Sequence, residues 1–338
     1  LMCYFVSKGV DLKSKFLHGN TLGLVMSGKI TSTHAPSSSL VSISAPARKI
    51  IERRPYNFPE RSAGNLKDIR INMRASIKPL VQRILESNAV KLSEKTIGNV
   101  RCLVVQPEEL ASECKVLYGY GGGFVTGSAF EDLTIAVPIS ARSGLEVIIP
   151  EYRLAPKHPW PSACDDMISV YSELSEKISA IIGESAGGNL ALVTMLRAKK
   201  LGLKLPKSLV LLSPWCNLLN QGDSFCFNEG RDPTLSIHQS RLAAAHYAQA
   251  KDMTNPEISP LFGSYDETFP DVFISSGTRD LLLSQSIQLA NILRSAGVSV
   301  DLRIWEGLWH VFEWNADLPE SKMSIQHIVE FLRSSLNN

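Results

Sequence analysis

Short apolar runs rich in Val and Ile recur along most of the chain: RCLVVQP (101–107), KVLYGYG (115–121), LEVIIPEYR (145–153), SAIIGES (179–185), SLVLLSPW (208–215), DVFISSG (271–277) and VDLRIWEG (300–307). Each has the length and residue types of a strand. Between most of them lie segments that space their apolar residues along one helical face: 131–143, 163–176, 187–201, 284–296 and 321–335. Strand then helix, repeated, predicts an α/β protein with a mostly parallel central sheet and helices on both faces. Gly297 follows SIQLANILRSA, where a helix ends most easily in a left-handed residue.

The two ends of this rhythm differ. From Ala47 to about Asn88, ARKIIERR and IKPLVQRILESN carry helical spacing and predict short helices laid against something else. Residues 1–45 show little period, and THAPSSSLVSISAP (33–46) has the Ser and Pro content of a linker or irregular arm. The stretch 216–250 interrupts the alternation with a polar loop and then helix-like HQSRLAAAHYAQA, as an insertion off the sheet would. The expected organisation is an N-terminal arm with helices over 1–80 and the main domain over 81–338. No internal repeat is visible.

At 338 residues the chain can bury a sizeable core, which fits one large domain with an appendage. A net charge of +2 with no basic stripe gives no electrostatic case for nucleic acid or anionic membrane as partner. No window is apolar over the length a membrane helix needs, and LMCYFVSKGVDLKSKF lacks the apolar core of a secretory signal. The expectation is a soluble cytoplasmic protein. Cys3, Cys102, Cys114, Cys164, Cys216 and Cys226 form no CxxC pair and have no histidines at zinc-ligand spacing. They read as reduced structural thiols, and no metal site is expected.

Chemistry enters at GESAGG (183–188), set between the run SAIIGES and the helical NLALVTMLRAKK. Strand, tight turn and helix with Ser185 at the apex form a G-x-S-x-G nucleophile elbow, whose small neighbours let the chain bend sharply and project the hydroxyl. A serine hydroxyl needs a general base, itself held by a third group. Of the seven histidines, His310 in WEGLWHVFEW follows the final strand-like run. His327, His238 and His246 fall in helical stretches, His158 precedes a proline in a turn, and His18 and His34 lie in the arm. The acid belongs between serine and histidine in chain order. Asp280 in SSGTRDLLL stands at the C-terminal end of DVFISSG, whereas Asp271 and Asp301 begin strands. YGYGGGFVTGS (118–128) follows the same logic. Gly122 and Gly123 have no side chains to block an oxyanion, and their N–H groups with that of Ala186 make a three-donor hole. The stretch has neither the Lys-Ser/Thr of a phosphate loop nor a GxGxxG leading into a helix.

Taken together, YGGG (120–123), EYRLAPKHPWP (151–161), GESAGG (183–188), SPW (213–215), SPLF (259–262), RDLL (279–282) and WHVF (309–312) resemble the hormone-sensitive-lipase-like family, the bacterial family IV esterases, over about residues 85–336. The resemblance implies the α/β-hydrolase fold with a helical cap, built from N-terminal helices and the 216–250 region. It implies cofactor-free hydrolysis of short- to medium-chain carboxylic esters, with Ser185 as nucleophile, His310 as base then acid, and Asp280 as its orienter. A small-molecule ester is then the partner, and a homodimer through the last strand is a family habit. The same triad also serves amide, lactone or carbamate hydrolysis, and some family members are ligand-binding receptors without enzymatic activity. One departure stands out: Tyr120 occupies the position of the family's HGGG histidine. The expectation is that Tyr120 supports the glycine loop by hydrogen bonding, as Glu184 does from the elbow, while Arg153 and the prolines of EYRLAPKHPWP hold loops.

Overall fold

In the computed structural model, residues 42–54, 56–59 and 61–337 are described. Cys3, His18, His34 and the arm up to residue 41 lie outside the described residues. Eight strands form one sheet in the order β1-β2-β4-β3-β5-β6-β7-β8: β1 Val90–Ile97, β2 Val100–Pro107, β3 Lys115–Gly119, β4 Glu146–Pro150, β5 Ile178–Glu184, β6 Ser208–Leu212, β7 Asp271–Gly277 and β8 Val300–Trp305. β1 and β2 pair antiparallel, as do β2 and β4, and every pairing from β4 to β8 is parallel. β4, β5 and β6 are buried at every position, which explains why their sequences are apolar runs without alternation.

Nine α-helices accompany the sheet among the described residues: α1 Ala45–Ile51, α2 Leu66–Glu86, α3 Leu133–Ser143, α4 Ser162–Leu174, α5 Ala186–Lys200, α6 Asp223–Phe227, α7 Ile237–Ala248, α8 Leu283–Ser295 and α9 Pro319–Asn337. α3 packs on α9 and α4 on α5, which covers both faces of the sheet. The predicted helices therefore stand within a few residues of their expected places. α8 ends before Gly297, whose φ of +82° is the left-handed value its position called for.

The differences have local causes. β1, VKLSEKTI, was not among the predicted strands because six of its eight positions are exposed and carry mostly polar residues, as an edge strand does. The run 208–215 stops pairing at Leu212, since Ser213 turns out of the ladder with φ +47°. The helical stretch 47–88 is two helices, parted by an irregular segment containing Pro59 and Gly64. α1 starts at Ser44, whose Oγ accepts from Ala47 N while its own N–H and O–H donate to Glu320 at 2.6 and 2.9 Å. This cap bonds the first helix to the last.

Candidate active site

The loops that carry the chemistry all leave the C-terminal edge of the parallel strands, the edge where open α/β sheets build their sites. Ser185 follows β5 directly and opens α5 with φ +52° and ψ −117°, a conformation that costs a non-glycine residue about 1–3 kcal/mol. Its N–H donates to Leu212 O at 2.9 Å and its carbonyl accepts from Trp215 N at 2.9 Å, so β6 and the SPW turn hold the strain. Gly187 completes the elbow because α5 runs hard against β3: a Cβ there would stand 1.9 Å from Gly119 O.

His310, five residues beyond β8, places Nε2 2.9 Å from Ser185 Oγ and Nδ1 3.1 Å from Asp280 Oδ1. Asp280 is fully buried after β7, and its carboxylate accepts from Ser276 Oγ at 2.7 Å and Leu282 N at 2.8 Å. Burial alone would raise its pKa. The facing His310 and these hydrogen bonds outweigh burial and hold it below the usual carboxylate range. Burial likewise pulls His310 down, but the Asp280 charge and hydrogen bond, with Asp232 adding to them, raise it above 6.5. An ionised Asp280 accepts the Nδ1 proton and leaves Nε2 as a base facing the serine hydroxyl.

Asp232 was not singled out in the sequence. Its Oδ1 accepts from Thr234 N and Oγ1 and from Leu235 N, an ordinary Asx turn before a proline-bearing loop. Its Oδ2, however, accepts from Leu281 N at 3.0 Å and His310 N at 3.3 Å, so one buried carboxylate joins the loop of the acid to the loop of the base. Burial pushes this group up to about 6, against the pull of His310.

Gly122 and Gly123 have φ of +101° and +65°, and their N–H groups, like that of Ala186, meet no acceptor among the described residues. The turn is closed by Gly122 O, which accepts from Thr126 N at 3.0 Å and Thr126 Oγ1 at 2.9 Å. Gly121 N donates to Glu184, so the elbow grips the loop from below. Burial raises the carboxyls of both Glu184 and Asp132, Asp132 to about 7. Asp132 in turn accepts from Trp314 Nε1 at 2.9 Å and Tyr118 OH at 3.3 Å. Tyr120 and Tyr152 stack at 4.1 Å, and each donates its hydroxyl to the other's carbonyl oxygen, at 3.1 Å from Tyr120 and 2.6 Å from Tyr152. Tyr120 thus bonds to the strand-4 turn, and Arg153 beside it pairs with Asp166 at 2.8 Å.

These groups face a cavity of about 320 Å³, to which Met73 of α2, Ala243 of α7, Leu235 and Trp215 contribute apolar walls. α2 is tied to the glycine loop by Arg70, which donates to Val125 O and Ala155 O, and α7 by stacking of Tyr247 on Phe124 at 3.7 Å. Arg61 also lines the cavity. No hydrogen bond or ion pair of its guanidinium is found among the described residues, and its Nε is buried. His158, His238, His246 and His327 stand outside the lining; His246 bonds to Arg61 O and His327 stacks on Trp305.

A mostly parallel sheet with a serine at a strand-to-helix elbow, facing a histidine and a buried acid that follow it in the chain, is the architecture of an α/β-hydrolase. Residues 116–314 match the family described by the alpha/beta hydrolase fold. An esterase of Acinetobacter venetianus is 31% identical over 70% of this chain and 82% of its own, and an ethyl acetate hydrolase of Pseudomonas putida is 28% identical over 68% and 76%. The crystal structure of a hormone-sensitive lipase from a metagenome library superposes with a TM-score of 0.78, at 29% identity over 87% of this chain and 99% of that one. The chain belongs to the hormone-sensitive-lipase-like family of α/β-hydrolases.

Proposed function

We propose that the protein hydrolyses carboxylic esters with short- to medium-chain acyl groups through an acyl-enzyme on Ser185. The observation that carries this reading is the hydrogen-bonded line Ser185 Oγ, His310, Asp280, beside glycine N–H groups that have no other acceptor. Ser185 Oγ attacks the ester carbonyl as its proton passes to His310 Nε2. The resulting oxyanion is received by the N–H groups of Gly122, Gly123 and Ala186, each worth on the order of 3 kcal/mol of barrier in such sites. The C–O bond to the alcohol breaks, and the alcohol leaves with the proton from His310. Water then gives a proton to the same nitrogen as it attacks the acyl carbonyl, and when the second tetrahedral intermediate collapses His310 returns that proton to Ser185 Oγ, releasing the acid and the free serine. Asp280 keeps the imidazole in the right tautomer and stabilises its charged form.

The cavity size and its apolar walls of Met73, Leu235 and Ala243 support an acyl group of modest length. The helices ahead of β1 and the 216–250 region, which supply those walls, form the cap in this reading. Free thiols at Cys102, Cys114, Cys164 and Cys216 support a reducing, cytoplasmic setting. The half-exposed edge of β8 supports pairing with a second copy there, which light scattering would read as a doubled mass. Hydrolysis of p-nitrophenyl esters from acetate to palmitate, by wild type and Ser185→Ala side by side, tests the proposal. A maximum at short or medium chains that disappears in the variant is expected; equal activity in both proteins would remove Ser185 from the mechanism.

A further inference from the structure

Arg61 is the one arginine or lysine lining the cavity among the described residues, and the hydrolytic steps leave it unused. It precedes α2 in the irregular segment after α1, and its Nη1 lies close enough to Gly123 that a Cβ on that glycine would come within 3.1 Å of it. The guanidinium is thus beside the oxyanion loop. Its Nε is buried without a partner, no hydrogen bond from its other nitrogens is found among the described residues, and the methyl of Ala243 lies on the same side of Gly123. An arginine held out of bulk water normally has a carboxylate or a set of carbonyl oxygens around it, because desolvating an unpaired cation is costly. Here burial brings the guanidinium down to about 10. The missing acceptor is therefore expected from whatever fills the cavity.

We propose that Arg61 is a substrate-binding residue for a carboxylate, so that the preferred ester carries a second, ionised acid group on its acyl or its alcohol part. This rests on the esterase reading above and narrows its substrate class to anionic esters. A planar carboxylate matches the guanidinium fork in shape and charge. The pairing also acts on the chemistry. The Arg61 charge opposes protonation of His310, and the imidazolium is what forms as Ser185 attacks. A bound carboxylate cancels that opposition when it is needed, so an anionic substrate gains in kcat as well as in KM. Arg279, next to Asp280, feels the positive charges of Arg231 and Arg54, with Glu306 opposing them.

The test compares kcat/KM for matched pairs: mono-p-nitrophenyl adipate against p-nitrophenyl hexanoate for the acyl side, and 4-acetoxybenzoate against its methyl ester for the alcohol side. Wild type should favour the anionic member of one pair, which also says on which side the carboxylate lies. Arg61→Gln should lower that anionic-to-neutral ratio by about tenfold or more, the scale of a charge-assisted hydrogen bond, with Arg61→Lys restoring part of it. Because the ratio is taken within one protein preparation, a general loss of folded enzyme does not move it. Preference for the neutral member of both pairs, or a ratio untouched by Arg61→Gln, overturns the carboxylate site and leaves the esterase standing. Inactivity of wild type on all four esters overturns the esterase reading and this one with it.

Discussion

At the scale of single residues, the buried charges around His310 set what the site does with pH. Asp280 and Asp232 together hold the imidazole above its ordinary 6.5 against burial, and a general base works only when neutral. The rate should therefore rise with pH through a limb that lies above that value. Asp280→Asn removes the largest raising influence: kcat should fall by roughly 10⁴-fold, and the limb should move to lower pH in a kcat/KM profile. An unshifted limb would assign it to another group. At the glycine loop, Tyr120→Phe deletes the donor to Tyr152 O and leaves a buried carbonyl unsatisfied, at a cost of about 1–3 kcal/mol in stability. A several-fold loss of kcat/KM is expected if that bond orients the loop. Unchanged kinetics would reduce Tyr120 to a packed ring stacked on Tyr152.

Ser185, Asp280 and His310 are legible in the sequence because each sits at the end of an apolar run, in an order few other arrangements share. Asp232, Asp132 and Arg61 are not. Asp232 looks like the first residue of a turn, and it is one; its second carboxylate oxygen acquires a role only from His310 N, 78 residues away in the chain. Asp132 looks like a helix-starting acid, and its raised pKa depends on the burial that the fold gives it. Arg61 lies among polar and proline residues with no period, and only the folded cavity shows that its guanidinium meets no acceptor among the described residues.

At the scale of elements, close approach of α5 to β3 sets the elbow. Gly187→Ala would drive a methyl into the backbone of Gly119, with rigid backbone on both sides, so a destabilisation above about 4 kcal/mol is expected, read as a large drop in denaturation midpoint or loss of folded protein. A stable, active Gly187→Ala enzyme would mean that the helix can back away from the sheet. The interior strands were visible as continuous apolar runs because both of their faces are covered. β1 was not visible, because it is an edge whose stability comes from hydrogen bonds to β2 and not from an apolar face. The helices ahead of β1, the seven-residue α1 and the 21-residue α2, carried a periodic pattern, but the break between them depends on Pro59 and Gly64 and on where each helix docks.

At the scale of the molecule, several carboxyls buried near the cavity titrate above their ordinary range, and this makes stability depend on pH. Asp132 is the clearest: its folded pKa, raised by burial to about 7, exceeds the unfolded value of about 3.9. A raised acid contributes stability that is fully present below the unfolded pKa and is lost as pH climbs through the folded one. The contribution of Asp132 is therefore lost between about pH 4 and pH 7. Asp132→Asn holds a neutral amide at every pH. Its denaturation midpoint should fall less than that of wild type across this interval, and parallel curves for the two proteins would show that burial does not raise the Asp132 carboxyl.

The most direct measurement is reaction of the whole protein with a fluorophosphonate, which phosphonylates activated serines with loss of fluoride, followed by peptide mass mapping. A single adduct on Ser185, formed far more slowly in Asp280→Asn and absent in Ser185→Ala, is the result this structure predicts. An adduct on another residue, or none on wild type, would contradict Ser185 as the nucleophile.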